Sequence, residues 1–462
     1  MSLILRHYQQ RAVSDLRLAF RDGARAPLLV LPTGGGKTVV MAEILRGMAD
    51  RNRSAIVLVH RRELITQTAQ KLTLAGVEHG IIAAGTQPTD HLIQIASVQT
   101  LVRRLEQVSS TPDLIVIDEA HHATAGSWKR VMDHWPDARR LGVTATPVRL
   151  DGRGLSAAFD RLVHGPSVAD LIFTGFLCPA RIYAPPVVAD LLRLRYRAGD
   201  FTTEQAADAM NRPTVTGDAI EHYQRFAGGQ RAIAFCCSVD HAEHVCAAFN
   251  ASGIPAATLL GCTDTIRRDA TVASFASGAL DVLVTVDVVS EGFDIPAAGC
   301  AILLRPTASL GLFLQQVGRV LRPAEGKTAA IVLDHVGNVH RHGFPDDPRD
   351  WTLEDGIRRG RGSSQAAPSV RTCPQCFAAF KPAPLCPVCG AACAPSPRKL
   401  EHVAGELQEL KREGIRQRTT ERKKARTFEQ LIQVGIARGM KNPAGWARHV
   451  FYARQQRSGA IQ

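Results

Sequence analysis

The sequence predicts an α/β protein with two lobes, each built on a parallel sheet with helices on both faces. Short, mostly aliphatic runs, typical of strands buried on both sides, alternate with segments whose apolar residues recur at helical spacing. Such alternation is typical of doubly wound sheets, whose ligands bind at the carboxyl ends of the strands. The predicted strands are residues 27–31, 55–59, 93–98 and 114–117 in one series and residues 232–236, 281–286, 300–304 and 329–333 in the other.

The composition indicates a polyanionic partner. The chain has 462 residues and a net charge of +13, and nucleic acid is the usual partner of such a basic protein. A membrane surface is the alternative, but no amphipathic basic helix or lipidation signal is recognisable, and residues 1–8 lack a signal-peptide core. No apolar run approaches about 18 residues. We therefore expect a cytoplasmic protein without a membrane partner.

Residues 31–38, Leu-Pro-Thr-Gly-Gly-Gly-Lys-Thr, predict a phosphate-binding loop between a strand and a helix. Glycines have no Cβ, so their backbone N–H groups can converge on a polyphosphate at the positive end of the following helix. In such loops the lysine reaches the β- and γ-phosphates and the threonine hydroxyl holds Mg²⁺. Leu31 stands where the general pattern has glycine, and a glycine-rich turn with a solvent-facing lysine is the alternative. The predicted ATP-binding residues are Thr33, Gly34, Gly35, Gly36, Lys37 and Thr38, with Thr38 also at Mg²⁺.

Two carboxylates, Asp118 and Glu119, follow the aliphatic strand of residues 114–117 directly. Acidic residues rarely stand at the end of a buried strand without a cation or a proton to bind. We expect Asp118 to hold Mg²⁺ and Glu119 to orient and deprotonate the attacking water. The alternative is an acidic turn on the surface.

Asp118-Glu119-Ala120-His121, at this distance from the phosphate loop, resembles the DEAD/DEAH-box group of superfamily 2 ATPases. Residues 142–147, Gly-Val-Thr-Ala-Thr-Pro, stand where that group has its third motif. The resemblance implies two RecA-like lobes with ATP in the cleft between them. It also implies that His121, Thr144 and Thr146 link the ATP site to the nucleic-acid site. Gln9, in an Arg-x-Tyr-Gln string before the loop, would contact the adenine edge, although an ordinary amphipathic helix would explain that string as well.

The second series matches the family's fifth and sixth motifs. Gln315, Gly318, Arg319 and Arg322 fit a Gln-x-x-Gly-Arg-x-x-Arg pattern, and the two arginines, three residues apart, are predicted on one helix face. By resemblance, Arg322 is the first choice for an arginine finger and Arg319 for a supporting contact, whereas a solvated helix face is the alternative. Leu321 stands where the family often has glycine. The fifth motif assigns Gly292 and Asp294 to the nucleotide site, together with Gln315.

Three stretches most resemble bacterial RadD (YejH)-type helicases and related phage enzymes: Arg-Pro-Thr at residues 305–307, the sixth motif, and residues 326–338, which begin Gly-Lys-Thr and end Leu-Asp-His-Val-Gly-Asn. The resemblance to the family extends over residues 5–337. Four residues stand where two predicted strands of the first series end, which is where a nucleic-acid backbone would lie. Each of them would equally serve to start a helix. These candidates are Arg61, Arg62, Gln99 and Thr100.

A pair of Cys-x-x-Cys knuckles in the last quarter of the chain predicts a zinc ribbon. Cys373, Cys376, Cys386 and Cys389 offer the four thiolates that a closed, structural Zn²⁺ site needs. Cys393 is a spare that would replace Cys389, and redox-active cysteines are the alternative. The clustering of five of the eleven cysteines here suits a reducing compartment with one metal site.

The end of the chain is basic, because residues 398–462 contain 15 Lys and Arg against 6 Asp and Glu. We expect a charge-rich helix at residues 400–426 and a small helical unit in which Trp446, Phe451 and Tyr452 either grip nucleic acid or pack inward. The predicted domains are an ATP-binding lobe (1–165), a connecting region (166–212), a second lobe (213–345), a linker (346–370), the ribbon (371–395) and a basic helical tail (396–462).

The sequence as a whole predicts an ATP-dependent helicase or translocase that acts on DNA rather than RNA, in repair or recombination. One alternative is a motor that moves along duplex DNA without separating its strands. Another is a nucleic-acid-binding module in which ATP acts as a slow switch and the ribbon or tail recruits a repair or recombination protein.

Overall fold

The computed structural model describes residues 4–87, 89–108, 111–149, 154–185, 196–197, 200–201, 206, 213–286, 298–354, 370–393, 425, 427–437, 442–445, 447–448 and 450–451. The chain forms two compact units, residues 1–395 and 396–462.

The first lobe is built on a seven-stranded parallel sheet. Its strands are β1 (Pro27–Val30), β2 (Ala55–Val59), β3 (Gly80–Ile82), β4 (Ile93–Ser97), β5 (Leu114–Asp118), β6 (Arg139–Thr144) and β7 (Arg161–His164), in the order β3-β4-β2-β5-β6-β1-β7. Its helices are α1 (His7–Arg21), α2 (Lys37–Ala49), α3 (Arg62–Leu74), α4 (Val98–Leu101), α5 (Gly126–His134) and α6 (Val168–Phe173), with 3₁₀ turns at Leu105–Gln107 and Ala120–His122. Every residue of β1, β2 and β5 is buried, as their aliphatic sequences predict.

The second lobe is built on an eight-stranded sheet. Its strands are β8 (Ala180–Tyr183), β11 (Ala232–Phe235), β12 (Ala256–Leu259), β13 (Val282–Thr285), β14 (Cys300–Leu303), β15 (Ala330–Asp334), β16 (Arg371–Thr372) and β17 (Ala378–Phe380), in the order β12-β13-β11-β14-β15-β8-β17-β16. Its helices are α7 (Pro213–Ala227), α8 (Val239–Ala251), α9 (Thr265–Ser277), α10 (Leu310–Gly318) and α11 (Asn338–His342), and β9 (Tyr196–Arg197) and β10 (Asp200–Phe201) form a separate hairpin.

The cysteine-rich hairpin continues the second sheet. Strand β8, which lies in the predicted connecting region, pairs in parallel with β15, and β17 then pairs antiparallel with β8. A segment before the hairpin, residues 343–354, returns to the first lobe, where the carbonyl of Leu353 accepts hydrogen bonds from the backbone of Leu155 and Ser156, both at 2.8 Å. The hairpin is tied to this segment by the ion pair between Lys381 Nζ and Asp347 Oδ1 at 3.0 Å.

The eight predicted strands are all present, and each end lies within one residue of the prediction. The fold class, two parallel-sheet α/β lobes, is therefore confirmed. No helix among the described residues is long and apolar enough to cross a membrane.

The second unit contains one described helix of ten residues, α12 (Phe428–Ala437). A small core of Ala425, Leu431, Ala447 and Val450 forms against it, and the ring of Phe451 meets that of Phe428 edge-on at 6.0 Å. Phe451 therefore packs inward. The predicted helix at 400–426, of which only Ala425 is described, and the candidates Trp446 and Tyr452 lie outside the described residues.

Candidate functional site: a nucleotide cleft and its connections

The phosphate loop joins β1 to α2, and two of its glycines adopt a backbone that other residues avoid. Gly34 has φ +85° and Gly36 has φ +83°, both in the left-handed region. A Cβ on Gly36 would lie 2.4 Å from the Gln9 Nε2 atom, so a larger residue here would displace the Gln9 side chain. Helix α2 begins at Lys37, which places its N-terminus at the end of the loop. This geometry suits a polyphosphate.

Gln9 lies against the phosphate loop. Its side chain is buried, its Nε2 donates to the Gly35 carbonyl at 3.3 Å, and its Oε1 accepts from the Arg6 backbone N–H at 3.0 Å. The Tyr8 hydroxyl donates to the same Gly35 carbonyl at 2.9 Å. Residues at the start of α1 therefore hold the loop directly.

An aromatic group beside the loop was not predicted. The Arg6 guanidinium stands 4.5 Å from the ring centre of Phe176, and the Tyr8 ring lies 5.1 Å from the same ring. Leu177 follows, and its side chain would touch a Cβ on Gly34 at 3.0 Å. Only folding brings residues 176–177 to α1, so no local pattern in the sequence signals them.

Asp118 and Glu119 form a buried acidic turn facing the loop. Asp118 is the last residue of β5, its Oδ1 accepts from the Glu119 backbone N–H at 3.0 Å, and Glu119 has a left-handed backbone with φ +48°. The Lys37 Nζ lies 3.8 Å from Glu119 Oε1. Burial, reinforced by the Glu119 charge and opposed by Lys37, raises the pKa of Asp118 to about 7. Burial disfavours the charged form of this carboxylate, and a bound cation would compensate for its charge. Carboxylate oxygens are ligands that Mg²⁺ prefers, so the acidic turn suits Mg²⁺.

The three predicted coupling residues lie together behind this turn. His121 Nδ1 is 3.5 Å from Glu119 Oε2 and 3.3 Å from Thr144 Oγ1. The Thr144 hydroxyl also donates to the Thr146 carbonyl at 3.0 Å and accepts from the Thr146 N–H at 3.2 Å. A continuous polar chain thus connects the acidic turn with the end of β6.

The second lobe contacts the phosphate loop through the end of α10. A Cβ on Gly318 would lie 2.5 Å from the Thr33 Cβ, and a Cβ on Gly34 would lie 3.6 Å from Arg322 Cγ. Arg319 is only 6% exposed, so it is not on a solvated face. Gln315, also buried, lies one turn earlier in α10.

The prediction that Arg319 and Arg322 lie on one helix face is wrong. Helix α10 ends at Gly318, Arg319 is the residue that caps it, and Arg322 lies beyond the helix. The carbonyl groups of residues 320–322 bind partners outside the helix, among them the Cys178 N–H, which donates to the Leu321 carbonyl at 2.7 Å. Gly292 and Asp294, the predicted fifth-motif residues, lie outside the described residues.

The candidates for nucleic-acid contact gather where β2 and β4 end side by side. Arg61 caps the N-terminus of α3, and the Gln99 Nε2 donates to the His60 carbonyl at 3.2 Å. Thr100 lies in α4 next to Gln99. Arg62 opens α3, but its side chain lies outside the described part of the chain.

A cluster of tilted histidine rings that was not predicted joins this edge to the acidic turn. The ring of His122 lies 4.3 Å from that of His121 and 4.8 Å from that of His60. The ring of the buried Trp128 is nearly parallel to that of His122, with ring centres 6.5 Å apart. In the sequence, the two adjacent histidines after the acidic pair were the signal that could have indicated this cluster. Their partner His60 is distant in the sequence, and only the fold brings it into contact.

The four cysteine sulfur atoms lie within 4.8 Å of one another, and the pairs Cys373–Cys389 and Cys376–Cys386 are each separated by 3.6 Å. Tetrahedral Zn–S bonds of about 2.3 Å place sulfurs about 3.8 Å apart, so the cluster fits Zn²⁺. Burial raises the pKa of the Cys373 thiol, but hydrogen bonds from the backbone of Cys376 and Gln375 outweigh it and lower the pKa to about 6. Cys393 lies outside this cluster, and its thiol faces the Ala391 carbonyl at 3.5 Å.

Together, the phosphate loop, the acidic turn and the arginines of the facing lobe define a two-lobed P-loop ATPase. The chain matches the family described as "Type III restriction enzyme, res subunit" over residues 2–149 and the "Helicase conserved C-terminal domain" over residues 217–324. The chain belongs to the superfamily 2 helicases and is an ATP-hydrolysing enzyme of that kind.

Individual proteins are similar to the chain over about three quarters of its length. A "51.5 kDa protein" of a Lactococcus phage is 35% identical over 76% of this chain and 74% of its own length. A "Putative DNA 3'-5' helicase Rad25" of Halobacterium salinarum is 32% identical over 74% of this chain and 57% of its own length. A fragment of a putative HsdR subunit of a type I restriction enzyme from Vibrio vulnificus, at 22% identity and a TM-score of 0.60 over 74% of this chain and 66% of that one, shows the same fold. The chain spans between 52% and 74% of the length of four curated relatives that it matches.

Proposed function

We propose that this chain is a RadD (YejH)-type enzyme that couples ATP hydrolysis to movement along DNA and to strand separation, in repair or recombination in the cytoplasm. The observation that carries the proposal is the contact of the arginine-bearing end of α10 with the phosphate loop of the other lobe. A cleft whose two sides both reach the γ-phosphate position can open and close with each cycle of hydrolysis.

In the first lobe, Lys37 binds the β- and γ-phosphates, and Glu119 orients and deprotonates the attacking water. Thr38 and Asp118 would hold Mg²⁺, which neutralises charge on the phosphate oxygens when bound. Gln9 contacts the adenine edge while it supports the loop, beside the pair formed by Arg6 and Phe176.

In the second lobe, Arg322 acts as the finger that stabilises negative charge on the transferring phosphoryl group. Arg319 supports it from the end of α10. Its burial favours a role inside the cleft over a role in solvent, because a buried guanidinium needs partners.

The polar chain of His121, Thr144 and Thr146 couples hydrolysis to the nucleic-acid site, where Arg61, Arg62, Gln99 and Thr100 contact the backbone. DNA is favoured over RNA because the archaeal relative is named as a DNA helicase. The cysteine cluster holds a structural Zn²⁺, and the ribbon or the basic tail recruits a repair or recombination protein.

The test is ATP hydrolysis by the purified protein, alone and with single-stranded DNA, duplex DNA, forked DNA and RNA, together with displacement of a labelled strand from the fork. We expect stimulation by DNA and displacement that depends on ATP. Stimulation by duplex without displacement would instead identify a translocase. Turnover that ignores every nucleic acid would overturn the motor and favour the ATP-switched recruitment module.

A further inference from the structure

Lys327 lies under the arginine-bearing segment of the second lobe, with its ammonium group inside a cage of carbonyl oxygens. It follows a turn at Gly326, and its Nζ donates to the carbonyls of Ala298 at 2.8 Å and Arg322 at 2.9 Å, and also to that of Val320.

The cage contains no counter-charge among the described residues. The titratable groups that face the ammonium are the thiols of Cys178 and Cys300, and burial lowers the pKa of Lys327 to about 8, so the side chain is still charged at pH 7. The side chain is half-buried, and three carbonyl oxygens take the place of water around its ammonium group.

The positions of the three carbonyl groups in the chain show which segments Lys327 connects. Those of Val320 and Arg322 belong to the segment after α10, where backbone groups have lost their helical partners. The carbonyl between them, that of Leu321, is bound by the Cys178 N–H at 2.7 Å. Ala298 is the first described residue after 287–297, which include the predicted fifth motif. One side chain therefore fixes the arginine-bearing segment to the strand region next to it.

We propose that Lys327 is a positioning residue for Arg322, holding the backbone of residues 320–322 so that the guanidinium is directed at the phosphate loop. This inference rests on the proposed role of Arg322 as the arginine finger. An arginine finger stabilises the transition state only when its guanidinium is correctly positioned. A displacement of about 1 Å can lower the rate of the catalysed reaction by about 100-fold. Loss of the ammonium group should therefore reduce turnover without weakening ATP binding, since the first lobe provides the phosphate loop.

The experiment compares the DNA-stimulated kcat and the KM for ATP of full-length Lys327→Met, Lys327→Arg and Arg322→Ala. We expect Lys327→Met to lower kcat by about 100-fold with a KM within about three-fold of wild type. Lys327→Arg, which keeps the charge and the N–H donors, should recover at least about a tenth of wild-type kcat. The control is Lys381→Met, which removes the exposed lysine paired with Asp347 and should leave kcat unchanged.

The double variant Arg322→Ala/Lys327→Met separates positioning from a general structural role. If the lysine acts through the arginine, the double variant has the kcat of Arg322→Ala alone. A further loss in the double variant overturns the proposal, as does a wild-type kcat in Lys327→Met. Should Lys327→Met fail to fold, as judged by its melting curve, Lys327→Gln replaces it in the same cycle with the same expected direction of change in kcat. Its amide is neutral, is one atom shorter and has only two N–H groups for the three carbonyls.

The outcomes also separate this inference from the function on which it rests. Absence of turnover in the wild-type protein would overturn the proposed function itself. Wild-type turnover in Arg322→Ala would remove the finger assignment and this proposal with it. Loss of turnover in Arg322→Ala combined with normal turnover in Lys327→Met would overturn this proposal alone.

Discussion

Lys37 and Glu119 are held at the same point of the cleft from two different elements. Lys37 opens α2, and Glu119 leaves β5 with a left-handed backbone, φ +48°, which a residue with a side chain rarely adopts. This backbone turns the carboxylate toward the lysine, 3.8 Å away, and toward His121. Such strain commonly marks a functional site, because the surrounding structure must hold it in place.

At the residue scale, we predict that Lys37→Ala and Glu119→Gln each abolish ATP turnover while the fold persists. The first removes the charge proposed to bind the phosphates, and the second removes the proposed base while keeping the shape of the side chain. We expect a loss of at least about 100-fold in kcat, measured by phosphate release, with melting temperatures close to wild type. Lys129→Ala, an exposed lysine on α5, is the control. Wild-type turnover in Glu119→Gln would remove its role as the base.

The sequence could predict these residues because their chemistry is contained in short strings. Glycines before Lys37 and aliphatics before Asp118 are each recognisable within about eight positions. The arrangement of Arg6 and Phe176, or of His60 and His122, could not be predicted, because each pair is brought together by the sheet order and not by spacing in the chain.

At the element scale, Gly318 determines how closely the end of α10 can approach the phosphate loop. A Cβ here would lie 2.5 Å from the Thr33 Cβ, a separation that real atoms do not adopt. We predict that Gly318→Ala holds the lobes apart and lowers kcat by at least about 10-fold, because the proposed arginine finger would no longer reach the phosphates. Gly261→Ala, in the same lobe, adds a methyl group in open space and should behave as wild type. Equal kcat in both variants would show that the lobes do not meet here during turnover.

Asp334, the buried last residue of β15, and the partly exposed His335 that follows it change the pH dependence of stability in opposite directions. Burial raises the pKa of Asp334 to about 6, against the hydrogen bonds from the Val339, Asn338 and Val336 backbone, and lowers the pKa of His335 to about 3. The native state keeps the Asp334 proton up to about pH 6, whereas the unfolded chain keeps it only below about pH 4. The cost of burying the charged carboxylate is therefore relieved, and the free energy of unfolding rises, as the pH falls from about 6 to 4. The unfolded chain protonates His335 below about pH 6.5, so this histidine destabilises the fold over the same interval.

We therefore predict that Asp334→Asn makes the protein more sensitive to acid. The two slopes nearly cancel in the wild-type protein, and the variant keeps only that of the histidine. Between pH 6 and pH 4, the free energy of unfolding of the variant should fall by about 1.4 kcal/mol per pH unit more steeply than that of wild type. Urea denaturation at several pH values measures this difference, with the surface variant Asp15→Asn as control. Parallel curves would contradict the prediction.

The strands were predictable because runs such as Ile-Val-Ile-Asp at residues 115–118 are too apolar to lie anywhere but in a sheet buried on both faces. Strand β8 was not, because Ala-Arg-Ile-Tyr is short and carries a charge. The end of α10 was also missed, because Val320 and Leu321 continue its apolar pattern although their carbonyls bind Lys327 and Cys178.

At the scale of the whole molecule, the ribbon is part of the second sheet. Ala378 and Ala379 of β17 pair with Tyr183 and Ile182 of β8, so the cysteine cluster lies at the edge of the lobe's own core. A ribbon of this size buries little apolar surface, so the metal should provide most of its folding free energy.

We predict one zinc per chain, and removal of it by a chelator or by Cys376→Ser should lower the melting temperature of the lobe to which β17 is joined. The expected decrease in stability is several kcal/mol, because metal binding and folding are coupled in such sites. Metal content is measured by mass spectrometry and stability by calorimetry, with the exposed Cys262→Ser as control. A full equivalent of zinc in Cys376→Ser, or an unchanged melting curve without zinc, would contradict the assignment.

The distribution of charge determines how the whole chain should bind DNA. Residues 398–462 contribute +9 of the net +13, and aromatic residues make up only 5% of the chain, so contact with phosphates should outweigh stacking on bases. Binding should then show little sequence preference and a steep dependence on salt.

We predict that replacing Arg422, Lys423 and Lys424 by glutamine reduces the slope of log K against log salt by about 2 for single-stranded DNA, at about 0.7 for each phosphate that is no longer neutralised. Fluorescence anisotropy between 50 and 300 mM salt, about a six-fold range, measures the slope. The control replaces Arg11, Arg17 and Arg21, three exposed arginines of α1, and should leave it unchanged. An equal decrease in both variants would mean that net charge alone governs binding. No decrease in the first variant would place the phosphate contacts on the lobes, at the strand ends that carry Arg61 and Gln99, and leave the tail free for a protein partner.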